Sequence, residues 1–332
     1  MRSNTERNKS GALEAELSVP AGKTSRQSLW KRFAQQWEFQ LMILPAIAFL
    51  LIFNYAPMWG ILMSFQEYNL FKGFWESPWV GFDHFRMFFD SPEFWNIMRN
   101  TFAISFLKLL IGFPAPILLA LMLNEVGHLF FKRVVQTITY IPHFISWVVV
   151  SGLVFSMLAV DNGAVNETLQ RFNLIEQPIN WMSIPEYFWG ILVTVNVWKE
   201  IGFGSIVYLA AIVGIDPSLY ESASIDGASK LQQIFKITIP CIAPVIVIFL
   251  ILNIGNLLNA GFEDVFVLTR NLNNGILMSV AVTIDTYVYQ MGIINQRFSY
   301  ATAAGLFKSM LSIILLIAAN GIARRLGRTS LW

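Results

Sequence analysis

Apolar runs long enough to cross a bilayer dominate this chain, with short polar connectors between them. A spanning helix needs about 20 mainly apolar residues. Runs of that length fall near 41–65, 101–123, 134–159, 187–213, 237–260 and 301–323. The pattern predicts an all-α, polytopic membrane protein with six transmembrane helices. A seventh stretch, Gly275 to Met291, is interrupted by Asp285 and rich in Thr and Tyr, and is expected to be interfacial or partly buried. Residues 1–40 lack apolar periodicity and read as a polar, mostly disordered tail. The first apolar run lasts about 25 residues, against roughly 7–15 for a signal-peptide core, so it is expected to stay as a span.

Composition agrees. Of 332 residues, 55% are hydrophobic and 13% charged, whereas a soluble domain carries about 25% charged residues. A net charge of +2 gives no reason to expect nucleic acid as a partner. The placement of the basic residues says more. With six spans, the N-terminal tail, Lys132 and Arg133, Lys230 and Lys236, and Arg324, Arg325 and Arg328 share one side. The positive-inside bias then puts both termini and the 326–332 tail in the cytoplasm. A seventh span would move the last three arginines outside. The outer loops, near 66–98 and 160–186, carry Trp75, Trp79, Trp95 and Trp181, which suit either an aromatic belt or an external docking partner.

Catalytic chemistry has no foothold. His84, His128 and His143 are scattered without metal-ligand spacing, and Cys241 has no second cysteine to pair with and reads as a small packing residue. No nucleophile grouping and no phosphate-cradling glycine loop occurs. No catalytic residue, metal or cofactor is expected on this chain.

One connector is built differently from the rest. Asp216-Pro217 is a strong helix start, an N-cap followed by proline at the first helical position. Gly227 falls where that helix should end. A second short helix is expected from Ser229, with Leu231, Ile234, Phe235 and Thr238 near one face, and Pro240 resetting the chain before the fifth span. Within the first helix Glu221, Ser222 and Ala223 combine a carboxylate with small side chains, followed by Asp226. Such a surface fits either a solvated connector or a close-fitting basic groove.

In this segment the sequence resembles the permease subunits of type I binding-protein-dependent ABC importers. Their signature is Glu-Ala-Ala, three residues, Gly, nine residues, then Ile-x-Leu-Pro. Glu221, Ala223, Gly227, Ile237 and Pro240 match in register, with Ser222 for the middle alanine and Ile239 for the leucine. Asp226 and Ala228 fit the extended Asp-Gly-Ala form of sugar permeases. The likeness continues through Phe262 to Thr269 and through Ala301-Thr302-Ala303-Ala304, and covers about residues 40–325. The overall texture is most similar to oligosaccharide permeases of the aldouronate and alginate type.

The resemblance implies a six-helix permease domain over 41–325 whose 216–240 segment seats in a cleft of a cytoplasmic ATPase. Glu221, Ser222, Ala223, Asp226, Gly227, Ala228, Phe235, Ile237 and Pro240 would form that coupling element. It implies a second homologous permease, two ATPase subunits that use ATP and Mg, an external solute-binding protein and an oligosaccharide cargo. Other solutes, such as glycerol phosphate, share the coupling signature. An ATPase-independent channel or secondary transporter would find the segment dispensable.

The cargo path is sought among polar residues inside spans, which are costly there. Asn196, Trp198, Lys199 and Glu200 lie in the fourth span, the part that lines the pathway in sugar permeases. Amides suit sugar hydroxyls and an indole suits a pyranose face. Lys199 is either an attractor for a cargo carboxylate or half of a structural Lys–Glu pair. Asn253, Asn256 and Asn259, three apart in the fifth span, are either sugar ligands or helix–helix hydrogen-bonding groups. Lys108 and Lys308 are expected to snorkel toward span ends, and Glu263 and Asp264 to be solvated loop carboxylates.

Overall fold

The computed structural model describes residues 36–325, 327, 330 and 331. Most of the polar tail, residues 1–35, therefore lies outside the described residues, and the first helix already begins at Trp37. The chain divides after Trp59 into two compact units. Of the first, residues 36–59 are described and carry the opening part of the Trp37–Phe65 helix. The core, the cavity and the connector all belong to the second unit.

Among the described residues the structure is helical, with a single isolated antiparallel bridge between Gln66 and Trp79. Five helices are individually long and apolar enough to cross a membrane: Trp37–Phe65, Phe94–Glu125, Pro185–Val213, Lys230–Gly255 and Phe298–Arg325. The expected third span is a bent pair, Leu129–Phe144 and Trp147–Met157, turned by 105° at the break. Counted as one, the pair brings the spans to six. The break has a local cause. Residues Ile141–Phe144 tighten into a 3₁₀ turn around Pro142, and the Ser146 hydroxyl then accepts the Val149 N–H to start a new helix.

Prolines elsewhere do not break their helices. A proline ring collides with the carbonyl four residues back in a regular α-helix. For Pro57, Pro114 and Pro240 that carbonyl belongs to Phe53, Leu110 and Lys236, each inside a wider π-turn: Leu51–Tyr55, Lys108–Gly112 and Ile234–Thr238. The widening makes room for the ring. Pro240 therefore does not reset the chain; the helix from Lys230 runs through it to Gly255. The fifth span also ends five residues earlier than its apolar run suggests.

The fourth span is the axis of the second unit. Phe188 and Leu192 are fully buried with Ile104, Val150, Val265 and Leu268 toward one end, and Tyr208 and Ile212 pack on Ala120, Leu121 and Ile242 toward the other. Where it crosses the third span, a methyl group added at Gly202 would lie 1.9 Å from the Thr139 carbonyl oxygen. Only a glycine allows two backbones this close.

The structure corrects four expectations, on Lys308, Lys108, Asp264 and Cys241, and decides between two others. The 275–291 stretch is partly buried: Leu277, Ala281, Thr283, Ile284 and Thr286 are fully buried, whereas Ile276 is exposed. Its interrupting charge, Asp285, pairs with Lys308 of the sixth span, and Tyr287 shares a hydrogen bond of 2.9 Å with Tyr300. Lys308 thus does not snorkel. Nor does Lys108, which pairs with Asp264 and donates to the Ala260 carbonyl at 2.5 Å. Asp264 is buried rather than solvated, because its carboxylate balances that ammonium. Cys241 is exposed on the surface of the fifth span rather than packed.

Candidate functional site

A cavity of about 480 Å³ opens between the second, fourth and fifth spans. Asn196 and Glu200 come from the fourth span, Asn253 from the last turns of the fifth, and Asn256 and Asn259 from the turn beyond it. The three asparagines are thus not a stripe on one helix, yet one wall holds them. Ser105 and Lys108 of the second span complete the polar lining, among aromatic surfaces from Phe113, Phe203, Tyr208 and Phe249. Amides set among apolar walls are what a ligand rich in both hydroxyls and C–H faces requires. The Asn253 and Asn256 amides donate back to Phe249 and Leu252 carbonyls, and Asn259 donates to Asn256 at 3.1 Å. These bonds hold the amides in place on the wall.

Trp198 and Lys199 do not join them. Trp198 is about half exposed on another face of the fourth span, and Lys199 is buried and turned toward the broken third span. There its ammonium donates to the His143 carbonyl, lies 3.6 Å from Glu200 and sits 5.5 Å from the Trp147 ring centroid. His143 stacks on Phe203 at 3.9 Å and donates from Nδ1 to Glu200 at 2.8 Å. Lys199 and Glu200 are consecutive, so they leave the helix about 100° apart. Only Glu200 faces the cavity.

The second site is the connector. Residues Pro217–Ile225 form a helix capped by Asp216, whose carboxylate accepts the Ser218 N–H at 2.9 Å. That bond, together with the Ser218 hydroxyl, holds the Asp216 carboxyl below its ordinary value of 3.8. The helix ends in paired bonds, Ala228 N–H to the Ala223 carbonyl and Gly227 N–H to the Ser224 carbonyl, with Gly227 at φ +76°. This is the glycine-terminated C-cap the spacing implied. Ser229 and Gln232 then form a capping box that starts the Lys230 helix.

Two ties that the sequence reading missed hold this bent bracket shut. Gln233, which is buried, donates to Ser224 at 3.0 Å, and Tyr220 shares a bond of 2.9 Å with Thr238. Their signal was weak: both pairs join residues across the glycine turn, visible only once the bend is known. Outward stand Glu221, Ser222, Asp226 and Gly227, with Phe235 and Pro240 exposed and Ala223, Ala228 and Ile237 half-buried. Ile225 is 87% exposed, and Leu231 and Phe235 about two-thirds exposed. An apolar patch rimmed by polar groups marks an interaction surface. Lys230 lies 3.7 Å from Glu125, which puts the end of the second span on the same side as the bracket.

A family profile described as "Binding-protein-dependent transport system inner membrane component" matches residues 112–328. The chain belongs to this family. Protein LplB of Bacillus subtilis is 44% identical over 88% of this chain and 90% of its own length. The polygalacturonan/rhamnogalacturonan transport system permease protein YteP of the same organism is 44% identical over 96% and 99%. A chain in the crystal structure of a bacterial ABC transporter involved in the import of the acidic polysaccharide alginate superposes with a TM-score of 0.82. It is 43% identical, and the match covers 90% of this chain and 99% of that one. A related crystal structure, of an alginate ABC transporter in complex with alginate pentasaccharide-bound periplasmic protein, gives 0.83 at 42% identity, covering 92% and 100%.

Membership makes this binding-protein-dependent permease a multi-pass inner-membrane subunit of an ABC importer, not an enzyme. The family match includes the whole bracket and the fourth, fifth and sixth spans.

Proposed function

We propose that this permease carries acidic oligosaccharides into the cell as one of two homologous membrane subunits. The observation that carries the cargo class is its identity of 44%, over 96% of its length, to a permease named for polygalacturonan and rhamnogalacturonan. The amide-lined cavity supports a saccharide, since carboxamides bond hydroxyls and the aromatic walls offer surfaces for pyranose C–H faces. An external binding protein delivers the cargo. The bracket at 216–240 seats in an ATPase subunit, and both termini lie in the cytoplasm, as the lysines and arginines beside the bracket favour. ATP and Mg are used by the two ATPase subunits.

The assembled complex tests this through the bracket. Glu221→Lys reverses an exposed charge, and Gly227→Pro removes the N–H bonded to Ser224 at a backbone angle closed to proline. Both variants insert and assemble, and both lose most of the cargo-stimulated ATPase activity. Full stimulation in either variant contradicts the assigned role of the bracket.

A further inference from the structure

The cavity wall contains a cation the fourth-span motif did not point to. Among the residues lining it, Lys108 is the one basic side chain. Its ammonium is held by the Ala260 carbonyl, on the connection after the fifth span, and by Asp264, in the first turn of the Phe262–Leu268 helix that follows. One helical turn earlier stands Ser105, also on the cavity wall, 95% buried, its hydroxyl without a hydrogen-bond partner. Residues three apart on a helix share a face, so Ser105 and Lys108 border the same part of the cavity, with the Ser105 oxygen just beneath its surface and one rotamer change from reaching it. Asn256 and Asn259 border it from the opposite element. The other charge on the wall, Glu200, is already engaged by His143 and Lys199.

We propose that Lys108, with Ser105, receives the carboxylate of the passing cargo, and that Asp264 is a resident stand-in for that carboxylate. This rests on the acidic cargo proposed above. Breaking a buried ion pair and leaving one charge alone is strongly unfavourable. A neutral sugar that enters cannot replace Asp264 on Lys108. A uronate carboxylate can, taking the place of Asp264 on Lys108 while the Ser105 hydroxyl gains the partner it lacks. The released Asp264 keeps the Val265 N–H and turns its other oxygen to the water of the cavity, so only one of the two buried charges needs a new partner instead of both. The exchange discriminates acidic from neutral cargo inside the membrane, after any choice made by the external protein. It also frees the start of the Phe262–Leu268 helix from the second span.

The test uses the reconstituted complex with its binding protein loaded with an oligouronate, reading uptake and stimulated ATPase activity. Lys108→Arg keeps the charge and retains oligouronate uptake. Lys108→Gln loses about tenfold or more, as expected for one charge-assisted hydrogen bond. The deciding variant is Lys108→Gln with Asp264→Asn, which replaces the ion pair by two amides able to bond each other. A merely structural tie predicts that this double variant recovers; the carboxylate exchange predicts that it stays about tenfold down or worse. Lys308→Gln, which removes an ion pair away from the cavity, should not alter the preference for oligouronate over a neutral oligosaccharide.

A second measurement needs no variant. Carbodiimide treatment of the wild-type complex without cargo should join Lys108 to Asp264, and with oligouronate should yield a uronate amide on Lys108, both read by mass spectrometry. Recovery in the double variant, or only the internal link when cargo is present, overturns the proposal while leaving the cargo class standing. A wild-type complex indifferent to oligouronate but driven by a neutral saccharide overturns both.

Discussion

Lys199 donates to the main-chain carbonyl of His143 at 2.5 Å, so a buried ammonium on the fourth span caps the break in the third. A helix that stops inside the apolar layer leaves carbonyls without partners, each costing several kcal/mol, by order of magnitude, if left bare. The Lys199 side chain is 6% exposed, which lets it serve this carbonyl and leaves it off the cavity wall.

Lys199→Met should therefore act on stability rather than on cargo choice. The variant leaves a buried carbonyl unsatisfied, a loss of about 1–3 kcal/mol. Thermal unfolding of the detergent-solubilised protein should fall by several degrees, while the ratio of acidic to neutral cargo uptake stays as in wild type. A changed ratio with an unchanged midpoint would assign Lys199 to the path instead.

Gly202→Val places a branched side chain against the Thr139 carbonyl, where even one methyl carbon would sit at 1.9 Å. The backbones must separate, and overpacking of this kind costs about 1–3 kcal/mol or more. Reduced membrane insertion and loss of co-purification with the partner permease are expected. Normal yield and assembly would mean that the crossing is looser than described.

Tyr220→Phe removes one hydroxyl from the bond that ties the bracket to the root of the fifth span. A single such bond is worth about 1 kcal/mol, so assembly survives. The bracket then transmits motion less stiffly, and uptake per ATP hydrolysed falls several-fold. Equal falls in uptake and hydrolysis would indicate lost docking rather than lost stiffness.

Asp216 supplies a pH dependence with a definite sign. Its carboxyl lies below its ordinary 3.8 because the Ser218 N–H and hydroxyl favour the ionised form. A lowered folded value means the cap stabilises fully above about pH 4 and is lost as pH falls through that lowered value. Between pH 7 and pH 5 the cap should be constant. Asp216→Asn, which also caps, should leave coupling in that window unchanged; a drop would show that the charge itself is needed.

Legibility in the sequence tracked how local each feature is. The bracket was readable because its caps are local: Asp216, Gly227 and Ser229 act on residues within a few positions. The six spans were readable because a length of about 20 apolar residues needs no tertiary knowledge. The break at 144–147 was hidden, since Phe144, Ile145 and Trp147 carry the apolar run past it and only Pro142 marks the place. Helix rotation was hidden too. Nothing in the string Trp198-Lys199-Glu200 says which of the three faces the cavity, and Lys108 looked like a span-end lysine. It opens a π-turn, which adds a residue to the turn and re-aims the rest of the helix by about 100°. The ion pairs of Lys108 and Lys308 join residues 156 and 23 positions apart, beyond any periodic pattern.

The proposed ATP-driven uptake of an acidic oligosaccharide through this permease is measured most directly by the ATPase rate of the full complex in proteoliposomes, with binding protein loaded with an oligouronate or left empty. A several-fold rise is expected with the loaded protein, accompanied by oligouronate inside the vesicles. An unchanged rate without accumulation, while a neutral saccharide or another solute gives both, would contradict it.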